Sequence, residues 1–425
     1  MFRRIPDLLV SGLLLLTAAA AQQAAAGASS PPPSLQFGAS AATAYDSNIR
    51  QNDQQIVAGW EQDLDGWLQF DRQSSLGGWS LRYQPSLQVF AAQPGWNSLN
   101  QTADFQASQQ LAEHWTLSGA AHGGDWEQMP EAQLLGQQAG PEPNALLPRT
   151  RETTGSGQMQ LTYTLTPRTS LAVYGGYSER RFPGAGSFAN TLSGVHGYLA
   201  GARYQLVATQ RTQWGLQWEA QNYGIGTSSH LAAQSIVGSW TRAWTPLTTT
   251  TVSAGPEYSE VHASYTMVLS AGGLPISLTD RVQRVRVDPR VTAKVANANR
   301  ALPWTLAFSR QVSNGGGALP FPVSLLDVSA SVAPRLPGRW RLRLGLHCAQ
   351  FSALTDSQLA GRVRMAAARG TFEHPLGSQM SLQLDYALLL QRSQGALPLT
   401  AAVTRNWAGV RLAWQWPPRG LGDNN

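Results

Sequence analysis

Residues 379–391 read QMSLQLDYALLLQ, and every second side chain from Met380 to Leu390 is apolar or aromatic. The alternation returns at 405–416, which reads RNWAGVRLAWQW. Successive side chains of a β-strand point to opposite faces, so each stretch has one apolar and one polar face. Segments of about ten residues with this pattern and aromatic ends are typical of transmembrane β-barrels.

The same alternation recurs along most of the chain. We count eighteen segments between 34–46 and 400–416, joined in turn by short turns and by longer connections. The longer connections lie at 47–60, 92–99, 128–155, 182–194, 263–281, 313–322 and 393–399. Outer-membrane barrels have an even strand number, short periplasmic turns and long outer loops. The pattern predicts an all-β fold, a transmembrane antiparallel up-and-down β-barrel of about 18 strands, with 16 as the alternative because 34–46 and 231–244 alternate least regularly.

Most tryptophans near the short turns share the parity of the apolar face of their strand. They include Trp79, Trp115, Trp214, Trp304 and Trp340. An interfacial girdle of a membrane barrel explains this placement. A soluble β-sandwich has no reason to align tryptophans at one end, and no blade motif recurs at the roughly 40-residue period of a propeller.

The amino terminus predicts export. A basic start, Met1 to Arg4, precedes an apolar stretch and small residues, which is the pattern of a signal peptide over 1–28 with cleavage between 21 and 28. The apolar stretch is shorter than the roughly 20 residues of a spanning helix. The barrel then occupies 29–416, and 417–425 form a short periplasmic tail. Cys348 is the only cysteine, so an internal disulfide is excluded.

The composition suits a barrel with lipid outside and water inside. Only 13% of the residues are charged, against roughly 25% in soluble domains, while 42% are hydrophobic, which argues against a disordered chain. The net charge of +6 comes almost entirely from arginine, and genomic base composition is an alternative explanation for it.

The polar parity of the predicted strands carries an uneven charge. In the carboxyl-terminal half it forms a predicted basic wall of the pore, with Arg284, Arg286, Arg290, Lys294, Arg339, Arg341, Arg343, Arg362, Arg364, Arg405 and Arg411. The predicted pore-lining acids are Asp63, Asp65, Asp104 and Asp385. Fixed positive charge in a confined aqueous pore favours anions, and salt weakens the preference. Alternatively, the arginines pair with neighbouring acids and stiffen the wall.

The longest connection, 128–155, is the third outer loop in this count. In general porins the third loop folds into the lumen and narrows it, which predicts constriction residues here. They are Glu131, Glu142, Arg149, Arg151 and Glu152. The prolines of the loop suit an ordinary surface loop equally well.

The histidines suggest no enzyme. Only His262-Ala263-Ser264 resembles a catalytic pattern, the His-x-Ser of lipid A deacylases, and a surface-loop histidine is the simpler interpretation. There is no HExxH, P-loop or cysteine-based metal site. Asp46 and Asp53 could bind calcium, but their spacing does not require it. We predict no enzyme activity, no catalytic residue, no metal and no cofactor, and the chain leaves no room for the plug of a TonB-dependent transporter.

Tyr45-Asp46-Ser47-Asn48-Ile49 resembles the Tyr-Asp-x-Asn-Ile/Val element of the beta-barrel porin 2 family of outer-membrane proteins. The 400–416 strand is similar to the terminal recognition strand of outer-membrane proteins, although the chain continues beyond Trp416. The resemblance implies an outer-membrane location, and some members of the family accompany exopolysaccharide export.

The predicted function is an outer-membrane porin-like channel for passive diffusion of small polar, anionic solutes. The alternative is a barrel for exopolysaccharide export or envelope scaffolding. The predicted partners are outer-membrane lipid and lipopolysaccharide, the barrel-assembly machinery through the 400–416 strand, and a second copy in a homo-oligomer, with no nucleic acid.

Overall fold

The computed structural model describes residues 34–49, 56–91, 93–127, 150–183, 194–226, 229–271, 274–315, 322–354, 361–394 and 402–416, with backbone only for 263–271 and 274–280. The predicted signal peptide and tail lie outside these ranges. Eighteen antiparallel strands form one sheet. They are β1 (Ser34–Asp46), β2 (Gly59–Ser74), β3 (Gly77–Phe90), β4 (Ser98–Ala112), β5 (Trp115–Trp126), β6 (Glu152–Thr166), β7 (Thr169–Arg181), β8 (Val195–Thr209), β9 (Thr212–Ile225), β10 (Ser229–Ala243), β11 (Thr248–Ala271), β12 (Leu274–Asn297), β13 (Trp304–Ser313), β14 (Val323–Val332), β15 (Arg341–Ala353), β16 (Arg362–Pro375), β17 (Met380–Gln394) and β18 (Ala402–Trp416).

The sheet closes on itself. Each strand pairs with its neighbours in sequence, and β1 pairs with β18 from Phe37↔Trp416 to Asp46↔Trp407. The predicted barrel and the count of 18 strands are confirmed. Closure removes the free edges that β1 and β18 would otherwise have, so their backbone groups are paired where no water is available. In the described ranges, no helix is long and apolar enough to cross a membrane.

The outer face of the sheet is apolar. Large hydrophobic side chains on it are exposed, among them Trp214, Leu216 and Leu346. We call the end with the short connections the turn end and the opposite end the loop end. Trp79 and Trp115 are exposed at the turn end, as the girdle pattern predicts.

The connection predicted at 263–281 is wrong. This stretch is the tip of a long hairpin, in which β11 and β12 each have 24 residues and pair as far as Ala271↔Leu274. The sequence signal is Gly272-Gly273 between two alternating stretches, because Gly-Gly is a favoured hairpin turn. The last partner of β11 on β10 is His230, opposite His262, so about nine residue pairs continue beyond the adjoining strand.

Two opposed prolines lie next to the position where the pairing of β12 with β13 ends. Pro256 on β11 stands opposite Pro289 on β12. Neither has an N–H group, so neither can donate a ladder bond to a neighbouring strand. The β12–β13 ladder correspondingly ends at Val291↔Arg310.

Candidate functional site

The Tyr45–Ile49 element lies where the barrel closes. Asp46 accepts hydrogen bonds at Oδ2 from Arg405 Nε (2.9 Å) and Nη2 (2.7 Å), and at Oδ1 from the Asn48 backbone N–H (2.8 Å). The Asp46 side chain is fully buried and that of Arg405 is 4% exposed. This part of the element therefore joins β1 to β18 at the loop end. Arg405, predicted for the basic wall, serves this pairing.

A second ion pair follows along the same inner face. Arg411 Nη1 donates to Asp65 Oδ2 at 2.5 Å, and Ser40 Oγ donates to the same oxygen at 3.0 Å. Arg411 belongs to β18, Asp65 to β2 and Ser40 to β1, so the ion pair crosses the closing seam and the serine bond joins β1 to β2. Arg411 and Asp65 thus occupy the inner face, as the alternation predicts.

A charged network spans β7 to β12 at mid-height of the wall. Arg290 Nη1 on β12 donates to Glu219 Oε1 on β9 at 2.7 Å and to Ser235 Oγ on β10 at 2.9 Å. Tyr174 OH on β7 donates to Glu219 Oε2 at 3.0 Å, and Gln217 Nε2 donates to Tyr174 OH at 2.7 Å. Because four strands contribute, the network braces the wall and places charge towards the lumen.

Gly201 makes room for this network. It stands between Tyr174 and Glu219 in the register of β7, β8 and β9. A Cβ atom at Gly201 would lie 2.3 Å from Tyr174 Cζ. The tyrosine ring therefore crosses β8 through the space that the missing side chain leaves.

Glu257 bridges the interruption of the β12–β13 pairing beside Pro289. Its Oε2 accepts the Val312 backbone N–H at 2.7 Å, although Glu257 is on β11 and Val312 is on β13. The side chain of Glu257 is 2% exposed. The carboxylate thus replaces a ladder partner that the interrupted β12–β13 pairing does not supply.

Two ion pairs, one within β12 and one between β15 and β16, turn their basic member towards water. Arg343 is 54% exposed, while its partner Glu373 is 3% exposed, with Nη2 and Oε2 3.2 Å apart. Arg286 is 33% exposed and its partner Asp288 is 10% exposed. In these two pairs the carboxylate is buried against the wall and the guanidinium group faces the lumen.

The remaining predicted basic residues differ in where they lie. Arg284, Lys294 and Arg341 share the inner-face parity of their strands. Arg339 lies in the turn Pro337–Arg339 with φ of 67°, so its placement on a strand wall is wrong.

The predicted inner-face position of Arg362 and Arg364 is wrong. Both are exposed beside the buried Val363 and Met365, so they lie on the outer face of β16. The inner-face arginine of this strand is Arg369, which donates to Asp385 Oδ1 at 3.1 Å. Arg369 shares its parity with Val363 and Met365, and this is the signal for its inner-face position. The signal is misleading because apolar side chains, which are expected on the outer face, lie on the inner face at the loop end.

The predicted acids all have inner-face parity. Asp385 also accepts the Thr371 hydroxyl at 2.6 Å, and Asp104 Oδ1 lies 2.7 Å from His122 Nδ1. Asp63 is buried on β2. Glu219, Glu257 and Glu373 also line this face, and their positions on the polar parity of their strands are the signal that identifies them.

The predicted constriction set does not form one cluster. Arg151 Nη2 donates to Asp125 Oδ2 at 2.5 Å, and both lie on the side of the exposed apolar residues. Glu152 is buried on the inner face, where its Oε1 lies 2.9 Å from Arg180 Nε. Glu131, Glu142 and Arg149 lie outside the described residues.

The inner wall changes character along its height. At the turn end a cavity of about 660 Å³ is lined by polar side chains of β2–β6, including Gln106, Gln158 and Gln160. At the loop end, inner-face side chains such as Leu231, Val261 and Leu325 are fully buried. The inner face is therefore polar in this turn-end part and packed with apolar side chains at these loop-end positions.

The His262-Ala263-Ser264 triplet, which resembles a catalytic pattern, does not form a catalytic site among the described side chains. His262 has outer-face parity on β11, and its Nε2 lies 2.9 Å from Glu260 Oε1. The side chain of Ser264 is outside the description. Within the described ranges, no group of three or more His, Cys, Asp or Glu residues is placed to hold a metal ion.

Comparison with known proteins gives structural likeness only. No family model and no curated protein matches the sequence, so the beta-barrel porin 2 family stays a resemblance. The outer membrane protein OpdK of Pseudomonas aeruginosa is 11% identical with a TM-score of 0.43, over 90% of this chain and 99% of that chain. OccK2 (OpdF) of the same organism, in complex with glucuronate, is 10% identical with a TM-score of 0.44, over 90% and 97%. OccAB3 of Acinetobacter baumannii is 9% identical with a TM-score of 0.45, over 90% and 99%.

Proposed function

We propose that the protein is an outer-membrane porin-like channel through which small polar, anionic solutes diffuse passively. The turn end faces the periplasm and the loop end faces outwards, as in outer-membrane barrels generally. A barrel of 16–18 strands is wide enough for an aqueous channel. The apolar outer face and polar inner face supply the lipid contact and the water-filled path that such a channel needs.

The anion preference that we propose rests on the orientation of two ion pairs, Arg286–Asp288 and Arg343–Glu373, in which the arginine is the more exposed member. In a confined pore, an exposed guanidinium acts on a passing anion more strongly than a carboxylate that is buried behind it. Arg343, Arg286 and Lys294 are on the side of β12–β18. The acids of β1–β11, such as Asp63 and Asp104, form the opposite side, so a solute crosses a transverse field.

Planar-bilayer recording of the purified protein in a salt gradient tests this proposal. We expect stepwise conductance and a reversal potential of the sign for anion preference. Lys294→Gln with Arg343→Gln should reduce that preference, whereas Arg72→Gln, on the outer face, should leave it unchanged. Cation preference would contradict the anionic part.

Silent bilayers at every voltage would contradict the channel itself. The burial of Leu231 and Val261 at the loop end is the observation that favours the scaffold alternative in that case. Assembly through β18 and association with a second copy stay predictions.

A further inference from the structure

The outer face of β14–β18 carries a small, isolated basic patch. Among the described residues of these strands, its only Lys, Arg, Asp or Glu side chains are Arg362, Arg364 and Arg392. All three are exposed and lie at the loop end of β16 and β17. We call these three residues the rim cluster.

The rim cluster brings like charges together. Arg364 and Arg392 are direct cross-strand partners. Such partners have Cβ atoms about 4.5–5.5 Å apart, and like charges in this position destabilise a sheet. Arg362 follows on the same face two positions away, and Arg364 Nε donates only to a neutral group, Gln350 Oε1, at 3.1 Å. The arrangement therefore favours an anion from outside the chain.

Three other exposed cations at the loop end have acidic partners within the chain. They form the pairs Arg151–Asp125, Arg181–Glu179 and His262–Glu260. No acid of the described residues shares the outer face of β14–β18 with the rim cluster. The rim cluster thus differs from these three pairs, because no acid of the described residues on its own face is available to pair with it.

The position of the rim cluster indicates the kind of anion. Towards the turn end, the same face continues with exposed Leu390, Leu384 and Leu346. The arginines therefore stand at the upper border of the lipid-facing surface, where the headgroups of the outer leaflet lie. We infer that the rim cluster binds the phosphate groups of lipid A, the membrane anchor of lipopolysaccharide.

Arginine suits this ligand. Its planar guanidinium donates to phosphate oxygens in a fork, and charge-assisted bonds of this kind are stronger than neutral ones. One phosphate between Arg364 and Arg392 would replace their repulsion by two attractions. The acyl chains of the same lipid would lie on the leucines below.

The inference rests on the outer-membrane location in the proposed function but not on conduction. Its test is lipid binding in detergent, so a silent channel leaves it intact. Purified protein is titrated with lipid A, with dephosphorylated lipid A, with phosphatidylglycerol and with inorganic phosphate, and melting temperature and native mass spectra are recorded. We expect lipid A alone to bind tightly and to raise the melting temperature.

Variants locate the site. Arg364→Gln with Arg392→Gln should weaken lipid A binding about 100-fold, since each lost charge-assisted bond corresponds to about tenfold. Arg72→Gln, an outer-face variant at the turn end, should bind as the wild type does. Arg392→Glu should melt higher than the wild type without lipid, because it pairs with Arg364, yet bind lipid A more weakly.

Arg392→Glu is expected to raise the melting temperature and to weaken lipid A binding. These opposite changes distinguish a lipid site from a merely structural role. Equal lipid A binding by the double variant and the wild type would overturn the inference. So would equal stabilisation by phosphatidylglycerol, dephosphorylated lipid A or inorganic phosphate.

Discussion

Replacement of Asp46 by asparagine should destabilise the barrel far more than its single-atom change suggests. The substitution keeps the oxygen that accepts the Asn48 N–H but removes the charge that faces Arg405. Both side chains of the pair are buried, at 0% and 4% exposure, and two bonds of 2.7 and 2.9 Å join them. Breaking a buried pair on one side costs about 3–5 kcal/mol, because the other charge is left without compensation.

A double-mutant cycle measures this effect. The free energy of unfolding is determined in urea, in lipid vesicles, by tryptophan fluorescence for the wild type, Asp46→Asn, Arg405→Gln and the double variant. We expect each single change to cost about 3–5 kcal/mol, and the double variant to cost less than the sum by about 2 kcal/mol or more.

The Asp125–Arg151 pair is the matched control. It also lies at the loop end with a 2.5 Å contact, but its side chains are 28% and 53% exposed. Exposed pairs contribute about 1 kcal/mol or less, so Asp125→Asn should have a small effect. If Asp46→Asn costs no more than Asp125→Asn, or if the cycle is additive, the reasoning about the seam is wrong.

Three further predictions concern single positions. Glu257→Ala should cost about 1–3 kcal/mol in urea unfolding because it leaves the buried Val312 N–H unpaired, whereas Glu257→Gln should retain most of the stability; equal losses would contradict this role. Gly201→Ala should displace the Tyr174 ring and cost about 1–3 kcal/mol by overpacking, and an unchanged unfolding midpoint would refute the crossing geometry. Cys348 lies on the outer face, so a water-soluble thiol reagent should label it in detergent but not in lipid vesicles; fast labelling in vesicles would reverse the assigned faces.

The fold was readable from the sequence because a two-residue period relates each side chain to one face. Where lipid lies outside and water inside, as along 379–391, polarity identifies that face without ambiguity. The reading failed at the loop end of β16, because Val363 and Met365 pack inside the barrel there. Polarity then no longer distinguishes the two faces. The alternation therefore predicts, wrongly, that Arg362 and Arg364 line the lumen.

The pairing of the inner-face charges was less predictable than their face. Arg290 meets Glu219, 71 residues away, across two intervening strands. This contact depends on the register of four strands, and the neighbouring Tyr174–Glu219 bond depends on the missing side chain of Gly201. The alternation in sequence contains no information on register, so it predicts which charged side chains share the inner face but not which of them pair.

The closing seam also determines the order in which the barrel can be completed. Every other strand pairs with a neighbour in sequence, whereas Asp46 and Arg405 are 359 residues apart. Contacts at such separation form slowly, because the entropy of loop closure must be overcome first. Until β18 arrives, β1 and the growing sheet expose unpaired edges, which are sites of aggregation. The pairing of β18 with β1 is therefore the step that ends this vulnerable stage, and truncation before Arg405 should leave an open sheet.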